Sequence, residues 1–237
     1  MLLQEIDWSR IFIVFIIQLL IGSVFIVLSI KVLRRHLTKI SMICSGIFIP
    51  IALAFIFNLI YLPLTVNPTV YILHVTSIYL LHVAQIFILL FNLNLLKSKF
   101  ELTIKKQIII FIIYATGFLI LLFIPGAIII SEETNWRPMW NIYFSIALLT
   151  ITTIAFIIPS ALFSIRIYKS FEEIPVKKKW RYYMLGYIGL AFSYYSLIFY
   201  NTFTDPLMRL IFSVITAVVL VPSGFLMYLG IGKQLQK

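Results

Sequence analysis

Seven stretches of almost unbroken apolar sequence dictate what this chain can become. They run about 11–30, 40–62, 69–96, 107–130, 141–165, 183–201 and 207–231. At ~1.5 Å of rise per residue, each is long enough to cross the ~30 Å hydrocarbon layer of a bilayer as a helix. The expectation is an all-α, polytopic membrane protein, a seven-transmembrane helix bundle forming one domain over residues 1–237. A composition of 62% hydrophobic and 11% charged residues excludes a soluble domain of ordinary make-up. The first run differs from a secretory signal: Glu5 and Asp7 lead it, its apolar core is too long and no small-residue cleavage site follows, so it should remain as an anchor.

The formal charge of +11 reports topology rather than a nucleic-acid partner, because of where the charges fall. One set of connections holds Lys31, Arg34, Arg35 and Lys39, then Lys97, Lys99, Lys105 and Lys106, then Arg166, Lys169, Lys177, Lys178, Lys179 and Arg181, and finally Lys233 and Lys237. The opposite side has Arg10, Arg137 and Arg209 against Glu5, Asp7, Glu132, Glu133 and Asp205. Cytoplasmic connections carry the excess of Lys and Arg, which places the N-terminus outside and the C-terminus in the cytoplasm of a multi-pass cell-membrane protein.

Most connections are too short to fold alone, so a cytoplasmic output requires a separate partner protein. Two are distinctive. The outer one, 131–140, carries Trp136, Arg137 and Trp140; the indole rings suit an aromatic belt at the interface or, alternatively, a lid over an extracellular ligand cavity. The inner one, 166–182, is expected to break any helix near Pro175. It concentrates Lys177, Lys178, Lys179 and Arg181 at a membrane edge, for topology and anionic lipid or for a docked signalling protein.

The third run holds the chain's intramembrane histidines. At roughly 100° per residue, His74, Gln85 and Asn92 fall within about 20° of one another, flanked by Tyr71, Ser77 and His82. His74 and Asn92 lie ~27 Å apart along the axis, nearly the full hydrocarbon thickness. In the sixth run Tyr183, Tyr187, Tyr194 and Asn201 share a face, with Gly186 and Gly189 nearby to permit close helix approach. The fifth contributes Asn141, Ser145, Thr152, Thr153, Ser160 and Ser164. These groups either join helices through hydrogen bonds or line a cavity for a small, largely uncharged ligand among the third, fifth and sixth helices. In the second case His74, toward the outer face, is a candidate pH-responsive group.

Other chemistries are disfavoured. No Lys, Arg, Asp or Glu falls in the middle of a run, which weighs against a carboxylate-driven pump. No lysine lies between Leu207 and Ile231, so a retinal Schiff base has no anchor and no cofactor is expected. The runs lack the acidic-arginine pair of G-protein-coupled receptors, the third ending Phe91-Asn92-Leu93-Asn94 and the seventh reading Val221-Pro222-Ser223-Gly224. His74 and His82, about 12 Å apart along the axis and 80° around it, have no carboxylate with them, so neither a metal site nor a zinc-dependent membrane hydrolase is expected. An enzyme is not expected, for want of a nucleophile–base pair. Cys44, inside an apolar run, reads as a small core residue. Pro50, Pro125, Pro159 and Pro222 are expected to kink the second, fourth, fifth and seventh helices.

By topology, hydropathy and its Ile/Lys/Asn-rich texture, the chain resembles the seven-helix N-terminal sensor regions of some sensor histidine kinases. No kinase follows Gly232-Lys233-Gln234-Leu235-Gln236-Lys237 in the given sequence. The resemblance therefore implies a stand-alone receptor or sensor module that signals through helix motion to another protein. A facilitator or channel for a small uncharged solute, and a membrane scaffold without a ligand, are the alternatives; the oligomeric state is not legible.

Overall fold

The structure, a computed structural model, describes residues 12–34, 38–61, 63–96 and 102–232. Glu5, Asp7, Arg10, Arg35, Lys97, Lys99, Lys233 and Lys237, which figured in the charge pattern, lie outside the described residues.

A π-helical stretch, Phe12–Gln18, continues into α1 (Leu19–Leu33), followed by α2 (Lys39–Tyr61), α3 (Thr69–Leu96) and α4 (Ile104–Leu122). Beyond a small hairpin come α5 (Ile142–Ser170), α6 (Ile174–Thr202) and α7 (Pro206–Gly232). Among the described residues, six helices are long and apolar enough to cross a membrane: all of these but α6. The protein is therefore all-helical in its main architecture and has the make-up of a polytopic membrane protein in contact with lipid. Helix α6 has the length, 29 residues, but its tyrosines, serines and glycines dilute its apolar character.

Two expectations about the connections change. The fourth helix, expected to run to 130, ends at Leu122, because Pro125 and Gly126 turn the chain; Gly126 has φ 73°, where a Cβ is disfavoured. Pro125 thus makes a corner rather than a kink. Beyond it, β1 (Ile128–Ile129) pairs antiparallel with β2 (Met139–Trp140), Ile128 opposite Trp140 and Ile129 opposite Met139. The hairpin tip holds Asn135 and Trp136 in the left-handed region, at φ 51° and 56°.

At the other end, only Phe171–Glu173 separate α5 from α6. Pro175 does not break a helix there but sits in the first turn of α6, where a missing N–H costs nothing. Lys177, Lys178, Lys179 and Arg181 consequently stand on the opening turns of α6 instead of in a loop. Pro159 does perturb its helix: having no N–H to return to the preceding turn, it follows a widened π-helical turn, Thr153–Ile157.

Small residues set the closest approaches. Helices α6 and α7 form a tight antiparallel pair in which a Cβ on Gly230 would stand 2.5 Å from the Tyr183 backbone nitrogen, and one on Gly186 2.6 Å from the Ser223 carbonyl oxygen. Between α2 and α3, Gly46 receives the Phe87 ring. Helix α1 closes the group, resting on α2 through Gly22 and on α7 through Phe25 and Leu28 against Gly224. Helix α4 leans mainly on α3 and meets α5 through the Tyr114 ring against Phe156, with Gln107, Ala115, Phe118 and Leu122 its buried residues and an exposed row of Ile108, Ile109, Ile112, Ile113 and Ile120 suited to lipid.

Replacing Gly230 with Ala should therefore force α6 and α7 apart and lower the melting temperature in detergent, at a cost of about 1–3 kcal/mol. Gly117→Ala, on α4 with no atom within 4 Å of its Cβ position, should leave the melting temperature unchanged or raise it; equal losses in both variants would contradict the packing described.

Candidate functional site

Helix α3 carries His74, Ser77, His82, Gln85 and Asn92, all buried, and its polar side chains meet partners at three levels. At the hairpin end the indole N–H of Trp140 donates to His74 Nε2 (3.1 Å), and the Tyr61 hydroxyl lies 3.2 Å from Nδ1. Because an indole can only donate, Nε2 must accept; the neutral ring then holds its proton on Nδ1 and donates it to Tyr61. At mid-height His82 Nδ1 donates to the Ile78 carbonyl (2.9 Å), which leaves Nε2 to accept from the Tyr194 hydroxyl, with Thr152 Oγ1 at 3.4 Å. Phe118 stacks on this imidazole. At the lysine end Asn92 donates to the Ser160 carbonyl (3.2 Å) and accepts from the Tyr183 hydroxyl (3.0 Å).

These pairs define helix directions. Going from His74 to His82 to Asn92, the partners on the β2–α5 side lie 66, 70 and 68 residues later, so α5 runs parallel to α3. On α6 the partner falls from Tyr194 to Tyr183 as α3 rises from His82 to Asn92, so α6 is antiparallel. Tyr187 also reaches α5, donating to the Ile157 carbonyl (2.9 Å) in the widened turn. Ser77 bonds back to Leu73 and faces no partner helix with its hydroxyl. Hydrogen bonds therefore occupy most polar groups between α3, α5 and α6, where sequence placed the ligand cavity, although the hydroxyls of Ser160 and Ser164 are buried there without a hydrogen-bond partner.

Open space lies instead on the other flank of α3. A polar cleft at the hairpin end is lined by Gln18, Asn58, Tyr61, His74, Arg137 and Asn201, among others. Deeper, Ile51, Phe55, Leu81, Gln85, Leu197 and Leu220 surround a mostly apolar chamber between α2, α3, α6 and α7. A third small space lies between them, sharing Gln18 and Tyr200 with the first and Phe55 and Thr216 with the second. Leu197 lines all three. Along this cleft the side-chain oxygens of Gln18, Asn58 and Gln85 are buried with no hydrogen-bond partner.

The hairpin overhangs the polar end and is tied at several points. Arg209, buried, donates to the Phe203 carbonyl (2.7 Å) and the Pro138 carbonyl (3.0 Å), and its guanidinium stands over the Tyr200 ring. Asn67 donates to the Ile130 carbonyl (3.1 Å). Trp140 is buried against His74 and Phe144, so it does not serve as an interfacial belt residue; its N–H finds its partner inside the protein. Trp136 is half-buried and Arg137 lines the cleft.

The lysine end is shut. Phe91, Trp180 and Tyr183, each at most 2% exposed, pack ring against ring, with Phe171 against Trp180. The Trp180 N–H donates to the Ser164 carbonyl (2.8 Å). Arg181 turns outward to the Tyr168 hydroxyl, at 2.8 Å and 3.0 Å, while Lys177, Lys178 and Lys179 remain half-buried to exposed.

Sequence reasoning passed over Gln18, Asn58, Tyr61, Asn67 and Trp180, and took Arg209 only as an outer-side charge. Faint signals existed for some: Asn58 and Tyr61 share a face near the end of an apolar run, and Arg209 is a charge just inside one. No protein-family model matches the chain, and comparison with curated proteins and with solved structures returns no match. The class rests on the fold: an all-helical, polytopic membrane protein.

In a double-mutant cycle, Asn92→Ala and Tyr183→Phe should couple by about 0.6 kcal/mol, the average for interhelical hydrogen bonds in membranes, and by no more than about 1.7, when unfolding is followed in mixed micelles; additive effects would deny the bond. Trp140→Phe should speed amide exchange across residues 128–140 while leaving α6 and α7 protected, as read by hydrogen–deuterium exchange.

Proposed function

We propose that this protein is a non-enzymatic, seven-transmembrane receptor or sensor of the cell membrane. It binds a small, largely uncharged ligand within the bundle and signals through a separate cytoplasmic protein. The observation that carries this reading is the cleft: it runs from the hairpin end toward mid-bundle, presents buried side-chain oxygens without partners, and stops above the Phe91–Trp180–Tyr183 cluster. A blind cleft of this form suits binding rather than passage.

In this reading α6 is the seventh span. Its hydrogen bonds to α3 at two well-separated levels and its glycine-mediated contact with α7 support a full crossing. The basic excess near Lys31, Lys105, Lys169 and Lys177 supports a cytoplasmic position for that end and an external hairpin. Trp136, Arg137 and Trp140 then belong to a lid. Helix α6 links the two ends, with Leu197 and Tyr194 on the cleft and Lys177, Lys178, Lys179 and Arg181 on its opening turns. A ligand that shifts α6 changes the surface offered to anionic lipid or a partner protein.

Native mass spectrometry of the protein purified in mild detergent should find a stoichiometric small molecule that is lost in a Gln85→Leu variant, and liposomes containing the protein should be no more permeable to glycerol than empty ones. Raised glycerol flux would favour a facilitator, and heterogeneous bulk lipid alone, unchanged by the substitution, would favour a scaffold; either result overturns the receptor reading.

A further inference from the structure

We infer that the deep chamber is a seat for a small neutral molecule bearing a hydroxyl group on an apolar body, held through the side-chain amide of Gln85. This deepens the ligand-binding reading proposed above and rests on it.

The chamber's polar groups are, with one exception, already engaged. Ser193 donates to the Gly189 carbonyl (2.9 Å), Thr216 to the Phe212 carbonyl (2.7 Å) and Tyr194 to His82. Each lining hydroxyl is thus engaged with protein. Gln85, 1% exposed, is different: it lines the chamber, and its Oε1 is buried and meets no donor. An acceptor left unpaired in an apolar interior costs about 1–3 kcal/mol, a cost that an incoming donor relieves.

Chemistry narrows the ligand further. No charged side chain lines this chamber, and Ile51, Phe55, Leu81, Leu190, Leu197 and Leu220 supply most of its wall. A charge seated there would lose its hydration without a counter-ion, whereas a small alkyl group gains by burial. A hydroxyl fits the single polar position best, because it donates to the amide oxygen and equally accepts from the amide NH2 if the group turns over. The chamber measures only about 20 Å³, little more than a single water needs, so the body comprises no more than one or two carbon atoms. Access is from the hairpin end, through the space shared with Gln18 and Tyr200, since the aromatic cluster closes the opposite end.

The test uses methanol and the full chain in lipid nanodiscs, with saturation-transfer NMR titrated against alcohol concentration. Gln85→Leu preserves the volume and removes the unpaired atom, so the variant should melt no lower than the parent. Ser77→Ala, on the same helix but outside the chamber, serves as control. The wild-type protein and Ser77→Ala should saturate at the same concentration, and Gln85→Leu should require about two- to tenfold more, the worth of one neutral hydrogen bond. In a Cys44→Ser, Ser193→Cys chain the alcohol should also slow modification by a methanethiosulfonate reagent.

Equal titrations for wild type and Gln85→Leu, with only lipid partitioning or water in the chamber, overturn the proposed seat. If a stoichiometric co-purifying molecule is nevertheless found, the ligand-binding reading survives with a different site. If none is found, both fall.

Discussion

Polar side chains buried in a bundle that is itself surrounded by hydrocarbon have no water to fall back on, and the structure turns on how those of α3 are paired. His74, His82 and Asn92 each require a partner of matching donor or acceptor character, and each finds it on a different element or level: Trp140 and Tyr61, Tyr194 and Thr152, Tyr183 and the Ser160 carbonyl. Every such bond contributes modestly to stability, since the unfolded chain in a membrane also finds partners. Their larger effect is on geometry. A helix packed by isoleucine and leucine alone could rotate or slide with little penalty, but a hydroxyl that must meet one imidazole nitrogen sets both rotation and height. Three such levels along α3 hold α5 parallel and α6 antiparallel.

The pairing also determines where space remains. Helices α5 and α6 are drawn onto one flank of α3, while glycines bring α6 against α7 and α2 against α3. The other flank, enclosed by α1, α2, α6 and α7, cannot be filled by the same side chains, and the cleft is what is left. Its two ends differ for reasons of size and charge. At the lysine end indole and phenol rings fill the bundle, with Trp180 anchored on the Ser164 carbonyl. At the hairpin end the wall is made of shorter amides, tyrosines and an imidazole, and a tied hairpin rather than a helix covers it.

Much of the architecture was legible in the sequence because it follows from local rules. The apolar runs mark the helices, and of the polar face on α6 Tyr183 and Tyr194 do bond α3, while Tyr187 reaches α5 and Asn201 lines the cleft. The hairpin was not legible: Ala127 to Ile130 is as apolar as the helix before it, and only the Pro125-Gly126 turn and the pairing of Ile128 with Trp140 separate the two. Pro175 was misleading for a related reason, since proline both ends helices and begins them, and the distinction depends on whether the preceding residues stay helical. Trp140 and Trp180, which by composition suit a membrane interface, are buried because each N–H has an internal acceptor that no periodicity reveals.

What the sequence determined by itself is the medium and the element type: runs of this length and apolarity are stable only as helices within a bilayer, and the period of a helix puts His74, Gln85 and Asn92 on one stripe. Tertiary structure alone decided that this stripe divides its labour, with the histidines and Asn92 bound to other helices and Gln85 left facing a chamber. The physical reason is that helical period specifies which side chains share a face, whereas whether a given polar atom is satisfied depends on donors and acceptors arriving from elements tens of residues away.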